Sequence, residues 1–335
     1  MFNQINRKMM KTTKIWMLTI LFLAFLVVSC KEEETPVNEA EILIEYLESV
    51  DSPLGKYYVN TDMPAIQNAE HVKGLMAAGK VYIVDIRSAA DYAAGHIDGA
   101  VNVAAGDVLS HLDGMDLSGY DEISIVCYTG QTAAWVTSLL RLAGYGNAYS
   151  MLFGMCSWNE DFAGSWNNNI GSGYSTQFVS DATAKGAPGE LPDLNTGFKT
   201  AEDIFDARLD ATFAEGFNAA KITNTEVFAN LDNYYIVNYW PEAEYTDPGH
   251  IPGAVQYTPK QSIALAADLK TLPADRTIVV YCYTGQNSAN LTAYLRLVGY
   301  NAKSLLFGTN GMIYDDMTKS RWSESAIYGY DYVTE

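Results

Sequence analysis

The sequence predicts an α/β chain of two tandem domains, each a mostly parallel sheet with helices on both faces. Three observations predict it. Short, fully apolar β-type runs, Val81, Tyr82, Ile83, Val84 and Tyr234, Tyr235, Ile236, Val237, read as strands buried on both sides, as parallel strands are. Further runs, Ile123 to Val126 and Ile278 to Tyr281, each lead through a short loop into a helical pattern, the strand and crossover helix of a parallel sheet. Finally, whole motifs return in order. Cys127, Tyr128, Thr129, Gly130, Gln131 recurs as Cys282, Tyr283, Thr284, Gly285, Gln286 at an offset of 155. Gly95, His96, Ile97 recurs as Gly249, His250, Ile251, and Leu152, Phe153, Gly154 as Leu306, Phe307, Gly308, both at 154. A nearly constant offset through several motifs means one unit written twice.

Taken in order, residues 1–30 are set apart from the fold. Arg7, Lys8, Lys11 and Lys14 form a basic start, Ile15 to Val28 an apolar run, and Ser29 a small residue before Cys30, the arrangement of a secretory leader. The run is short for a bilayer span. Val27, Val28, Ser29, Cys30 resembles the lipobox of bacterial lipoproteins, which implies cleavage before Cys30, acylation of its thiol, and a membrane partner reached through that lipid. Residues 31–38 read as a polar tether. Its Lys31, Glu32, Glu33, Glu34 resembles an acidic tag that sends lipoproteins to the outer face of the outer membrane, and reads equally as a solvated start to the tether. The expected location is extracytoplasmic, at the outer membrane. The leader holds four of the 21 Lys and Arg and no acid, so 17 bases face 40 acids beyond it, a net charge of −23. Such a surface repels nucleic acid and anionic headgroups.

The first domain is expected over residues 39–179, opening with an amphipathic helix (Ile42, Leu43, Tyr46, Leu47, Val50) and a second over Glu70 to Ala78. Residues 180–198, with Gly186, Pro188, Gly189 and Pro192, read as the linker, and 199–335 as the second domain. Apolar positions Val136, Leu140, Ala143 and Leu291, Leu295, Val298 face the loop helices onto their sheets, which places Arg141 and Arg296 on a solvated face. Both domains close in tails rich in Trp and Tyr, Trp158 to Tyr174 and Tyr314 to Tyr332, as core packing or as lids.

Each repeated loop puts a sulfur at the C-terminal edge of a parallel strand, above a helix N-terminus. Asp85, Ile86, Arg87, then Asp91, Tyr92, then Gly95 to Ala100, with the Cys127 to Thr132 loop and the Phe153, Gly154, Trp158 turn, resemble the rhodanese family of sulfurtransferases. The resemblance implies a fold of two rhodanese-like domains and catalysis by Cys127 and Cys282 through a persulfide. The sulfur comes from a small sulfane donor and goes to a thiol acceptor, with no cofactor. Tyr128, Thr129, Gly130, Gln131, Thr132 and Tyr283, Thr284, Gly285, Gln286, Asn287 are the loop residues that meet substrate, and Asp85 and Arg87 support the first site, as catalytic groups or as a structural ion pair. The second domain departs from the pattern, with Asn238 and Trp240 in their places.

The chemistry asks for such loops in its own right. A thiolate is the nucleophile toward sulfane sulfur, and an ordinary thiol is mostly protonated at neutral pH, so N–H groups converging on the sulfur are needed to hold the charge. Neither loop carries Lys or Arg, whereas members of the family that prefer dianionic thiosulfate often have a cationic loop and phosphatase relatives an arginine. The resemblance therefore implies a persulfide, polysulfide or other sulfane carrier as donor and no phosphate-ester chemistry. With Cys30 acylated, Cys127, Cys156 and Cys282 remain; three cannot all pair, and ligand spacing for a metal is missing. His96 and His250 read as structural. Cys156, two residues after Gly154, reads either as a small packing residue or as a resolving thiol for Cys127. A non-enzymatic binding or scaffold module remains the alternative for the whole chain.

Overall fold

The computed structural model describes residues 38–335. Residues 39–335 form one compact unit holding two sheets. The strands of the first are β1 (Ile66–Gln67), β2 (Val81–Asp85), β3 (Val101–Asn102), β4 (Glu122–Val126) and β5 (Ala148–Met151). Those of the second are β6 (Lys221–Ile222), β7 (Tyr234–Asn238), β8 (Val255–Gln256), β9 (Thr277–Tyr281) and β10 (Ala302–Leu305). The order is β1-β5-β4-β2-β3 and then β6-β10-β9-β7-β8, every pairing parallel. The two repeats thus share one topology.

Period two along the central strands explains how the layers form. Tyr82, Val84, Ile123 and Ile125 enter one apolar cluster with Val237, Ile278, Val280 and Ala302 of the other repeat. The alternate residues face outward instead. Ile83 and Val126 meet Val72, Tyr92 and Trp158, while Ile236, Val279 and Tyr281 meet Val227, Trp240 and Met312. Each sheet therefore has a private outer core and a shared inner one.

The shared core lies around the helices that follow the cysteine loops, Gln131–Leu142 and Gln286–Leu297, with Ala201–Ala219 and Glu39–Glu48 packed beside them. This corrects the one-sided reading of the loop helices. From Ala133 to Leu142 every residue of the first is buried. Arg141 is not solvated but 2% exposed. Its Nε donates to Ala148 O at 2.7 Å, it pairs with Asp62 at 3.2 Å, and it stacks over Tyr149. Arg296 is half-buried instead, pairing with the exposed Glu215 and donating to Ala302 O at 3.0 Å. Val50, expected on the apolar stripe of the opening helix, is 81% exposed because that helix ends at Glu48. Residues 180–198 contain no helix or strand, although Thr183 bridges to Val255 and Leu191 is buried.

The aromatic tails cross between repeats. Val333 pairs with His96 in an antiparallel bridge, and Val179 pairs with His250 in the same way, so each repeat's tail docks on the other repeat at the same place. The correspondence continues upstream, where Tyr328 N donates to Ser157 O at 2.9 Å and Tyr174 N to Met312 O at 3.1 Å.

Candidate active site

Strand β4 ends at Val126, and Cys127 begins the turn that starts the next helix. Gly130 stands at the helix N-cap with φ 82°, a left-handed conformation that disfavours a side chain. The turn folds the helix's first N–H groups back on the sulfur. Ala133 N donates to Cys127 Sγ at 3.4 Å, and the N–H groups of Thr129 and Gly130 bear on it as well. The second loop repeats the arrangement, with Gly285 at φ 78° and Ser288 N donating to Cys282 Sγ at 3.3 Å. There Ser288 stands where the first loop has Ala133, and the Cys282 thiol lies 3.6 Å from its Oγ.

Cys127 is 6% exposed and Cys282 2%. Burial pushes the Cys127 thiol above its ordinary value, and the N–H groups of Ala133, Thr129 and Gly130 pull the other way without reversing it. In the resting loop these donors oppose the burial penalty without overcoming it. Its donors are set to receive charge as it develops on the sulfur.

Around the first loop, Asp85 and Arg87 form a buried ion pair, with Arg87 Nη2 2.6 Å from Asp85 Oδ2 and also donating to Gly95 O at 2.6 Å. The Arg87 guanidinium lies over the Tyr128 ring at 4.9 Å, and Tyr128 OH donates to Asp91 at 3.0 Å. Hydrogen bonds from Ser88 and Tyr128 hold the Asp91 carboxyl below its usual range. In the second repeat the Trp240 indole takes the guanidinium's place, stacked 4.6 Å from the Tyr283 ring. Asn238, at the position of Asp85, donates to Tyr281 OH at 2.8 Å. Each loop tyrosine thus rests on a flat group, charged in one repeat and neutral in the other.

The loop glutamines do not face a substrate cavity. Gln131 and Gln286 are buried, and each reaches into the opposite repeat. Thr129 and Thr284 serve these same turns, Thr129 Oγ1 accepting from Gln131 Nε2 at 3.1 Å and Thr284 Oγ1 from Gln286 N at 3.3 Å. Thr132 is half-buried, and Asn287 Oδ1 is buried without a hydrogen-bond partner.

Cys156 is fully buried among Phe153, Ala163, Trp166 and Trp322. Its thiol donates to Phe162 O at 3.0 Å, and burial pushes it up to about 12, which makes it a poor attacking thiolate at neutral pH. His96 and His250 stack on Tyr92 and Tyr245, each with Nδ1 against the tyrosine's own carbonyl, at 2.8 and 2.7 Å.

A cavity of about 660 Å³ opens beside the first loop, lined by Tyr128, Asp161, Phe162, Ser165, Asn168 and, from the C-terminal tail, Tyr332. No Lys, Arg or His lines it. Tyr332 and Asp161, joined by a hydrogen bond of 2.8 Å, escaped the sequence reading because the tail crosses to the other repeat. The signal was Trp and Tyr spacing alone, which does not say whose site a tail covers. Among the described residues no cluster of His, Cys, Asp and Glu is placed to hold a metal ion.

The pattern of the rhodanese-like domain matches residues 68–161 and again 190–312. The chain belongs to the rhodanese-like family. It carries two rhodanese-like domains in tandem, and the family is one of sulfurtransferases. The thiosulfate sulfurtransferase GlpE of Pseudomonas entomophila (strain L48) is 34% identical over 95 residues, 28% of this chain and 84% of that protein. GlpE of Pseudomonas fluorescens (strain SBW25) is 31% identical over 93 residues, 28% of this chain and 83% of its own. Of solved structures, the 3-mercaptopyruvate sulfotransferase SseA from Escherichia coli is 17% identical, covering 78% of this chain and 99% of that one with a TM-score of 0.26.

Proposed function

We propose that this rhodanese-like chain transfers sulfane sulfur through a persulfide on Cys127. The observation that carries the reading is the first loop, where backbone N–H groups converge on Cys127 Sγ beside the Asp85–Arg87 pair. Cys127 gives up its proton and attacks the outer sulfur of a donor R–S–SH. The donor's S–S bond breaks, its electron pair and the proton leave as R–SH, and Cys127–S–SH remains. An acceptor thiolate then takes the outer sulfur and returns Cys127 as a thiol, so no external oxidant or reductant is needed. The lack of Lys and Arg in the first loop and in the cavity beside it favours a persulfide or polysulfide donor over dianionic thiosulfate. Cys282 has the same backbone cradle without the charged pair, and its contribution is the smaller. Turnover with a persulfide donor should fall at least about a hundredfold in Cys127→Ser and only about two- to fivefold in Cys282→Ser. Undiminished turnover in the double variant ends the enzymatic reading.

The burial of both sulfurs favours a second reading, a binding or scaffold module whose loops only recognise a partner. It predicts that neither cysteine takes up sulfur from any donor.

The leader and Cys30 lie outside the described residues, and no described helix is long and apolar enough to cross a membrane. The basic start, short apolar run and Val27 to Cys30 support an extracytoplasmic lipoprotein held to a membrane through acylated Cys30, and the likeness of Lys31 to Glu34 to an acidic sorting tag supports the outer membrane. Fractionation of the producing cells checks this. Cys30→Ser should leave the membrane fraction, and retention of that variant there contradicts the anchor.

A further inference from the structure

The five-residue identity of the two loops has a structural counterpart in how they meet. Gln286, from the second loop, accepts from Phe153 N through Oε1 at 2.9 Å and donates from Nε2 to Gly130 O and Met151 O, both at 3.3 Å. Gln131, from the first loop, accepts from Phe307 N at 2.8 Å. The glycines make room for this exchange. A Cβ on Gly130 would stand 2.4 Å from Gln286 Nε2, and one on Gly285 would stand 2.2 Å from Gln131 Oε1. The glycine before each helix therefore serves the other loop's glutamine as well as its own turn.

The turns so gripped are strained. Phe153 and Phe307 hold φ of 60° and 61°, a region unfavourable to a bulky L-residue that persists only where neighbours enforce it. They lead directly to the groups that fix the cysteine loops. Met155 N donates to Cys127 O at 2.9 Å and Cys156 N to Tyr128 O at 3.1 Å, while a Cβ on Gly154 would stand 2.3 Å from Cys127 O. Gln286 thus holds the first loop twice, at Gly130 directly and at Cys127 and Tyr128 through the Phe153 turn.

We infer that Gln286 is a positioning residue for Cys127, and that the two repeated loops are retained alike because each braces the other across the interface. The claim rests on Cys127 being the reacting thiol. It accounts for a second loop that keeps Gly285 and Gln286 after its strand has replaced the Asp and Arg of the first. It also assigns the second repeat a part in the first repeat's chemistry that does not depend on the Cys282 sulfur.

The test uses the full chain with Gln286→Ala and with Gln286→Met, which fills the space without the hydrogen bonds and keeps a readout should the smaller side chain unfold the protein. Amide exchange is followed by peptide mass in parallel with sulfur transfer from a persulfide donor. The expected result is exchange about tenfold faster or more over residues 151–155 with β2 and β4 as protected as before, and kcat at least about tenfold lower with donor KM within about twofold. Exchange that changes only in residues 282–290, or wild-type kcat in the Met variant, overturns the inference. Because exchange needs no sulfur chemistry, a wild-type chain that takes up no sulfur defeats the proposed function while the exchange still decides the brace.

Discussion

At Cys127 two opposing effects meet on one atom. Burial, and after it the Asp85 charge, raise the cost of the thiolate, three backbone N–H groups lower it, and burial wins in the resting loop. The proton is therefore held above the ordinary thiol value of 9.0, and the reactive fraction grows as pH rises toward and past that value. Site-resolved alkylation with iodoacetamide should speed up at Cys127 through pH 9 without levelling, and a plateau below about pH 8 would show a stabilised thiolate instead. Cys156, pushed to about 12 and sealed among aromatic rings, should stay unlabelled in the folded chain over the same range. The sequence identified the sulfur, the glycine and the helix start, because a strand followed by a Gly-containing turn leaves few other geometries. It did not show the sign of the thiol's shift, which depends on how much of the second repeat covers the loop.

At the scale of elements, the strands and both loop helices were legible because period-two and i, i+4 spacing survive in each repeat. The burial of Arg141 was not. Its helix was read as one-sided, although Gln131 to Leu140 contains no charged residue, as does Gln286 to Leu295, and two uncharged helices of that kind are a signature of a buried pair. The crossed tails were invisible for another reason: aromatic spacing shows that a segment packs, not where. The C-terminal tail lays Tyr330 against Trp158 and Tyr332 against Phe162, with ring centroids 5.0 and 4.8 Å apart, and donates Glu335 N to Ala93 O at 3.0 Å. Removing residues 328–335 strips these rings and the bridge to His96. The lost contacts should be visible as a lower Tm. The cavity beside Tyr128 also loses its Tyr332 wall, so donor KM should rise. A truncated chain with unchanged Tm and KM contradicts the docking of the tail on the first repeat.

Over the whole molecule, the two repeats are one body. Their sheets share an inner core, their glutamines and tails are exchanged, and their loops meet at a cluster in which Phe153 and Trp322 approach to 5.1 Å and Phe307 and Trp166 to 5.0 Å. The repetition that first announces two equal sites becomes, in the fold, one site with a buried Asp85–Arg87 pair and one with Asn238 and Trp240 in its place, held against each other. The central claim is that sulfur rests on Cys127. The most direct measurement is peptide-resolved mass of the full chain after incubation with a persulfide or polysulfide donor, with thiols blocked on quenching. A gain of about 32 Da on the Cys127 peptide, lost again when a thiol acceptor is added, is the predicted result. A Cys127 peptide of unchanged mass across the donor series, or a gain that no thiol removes, would contradict it.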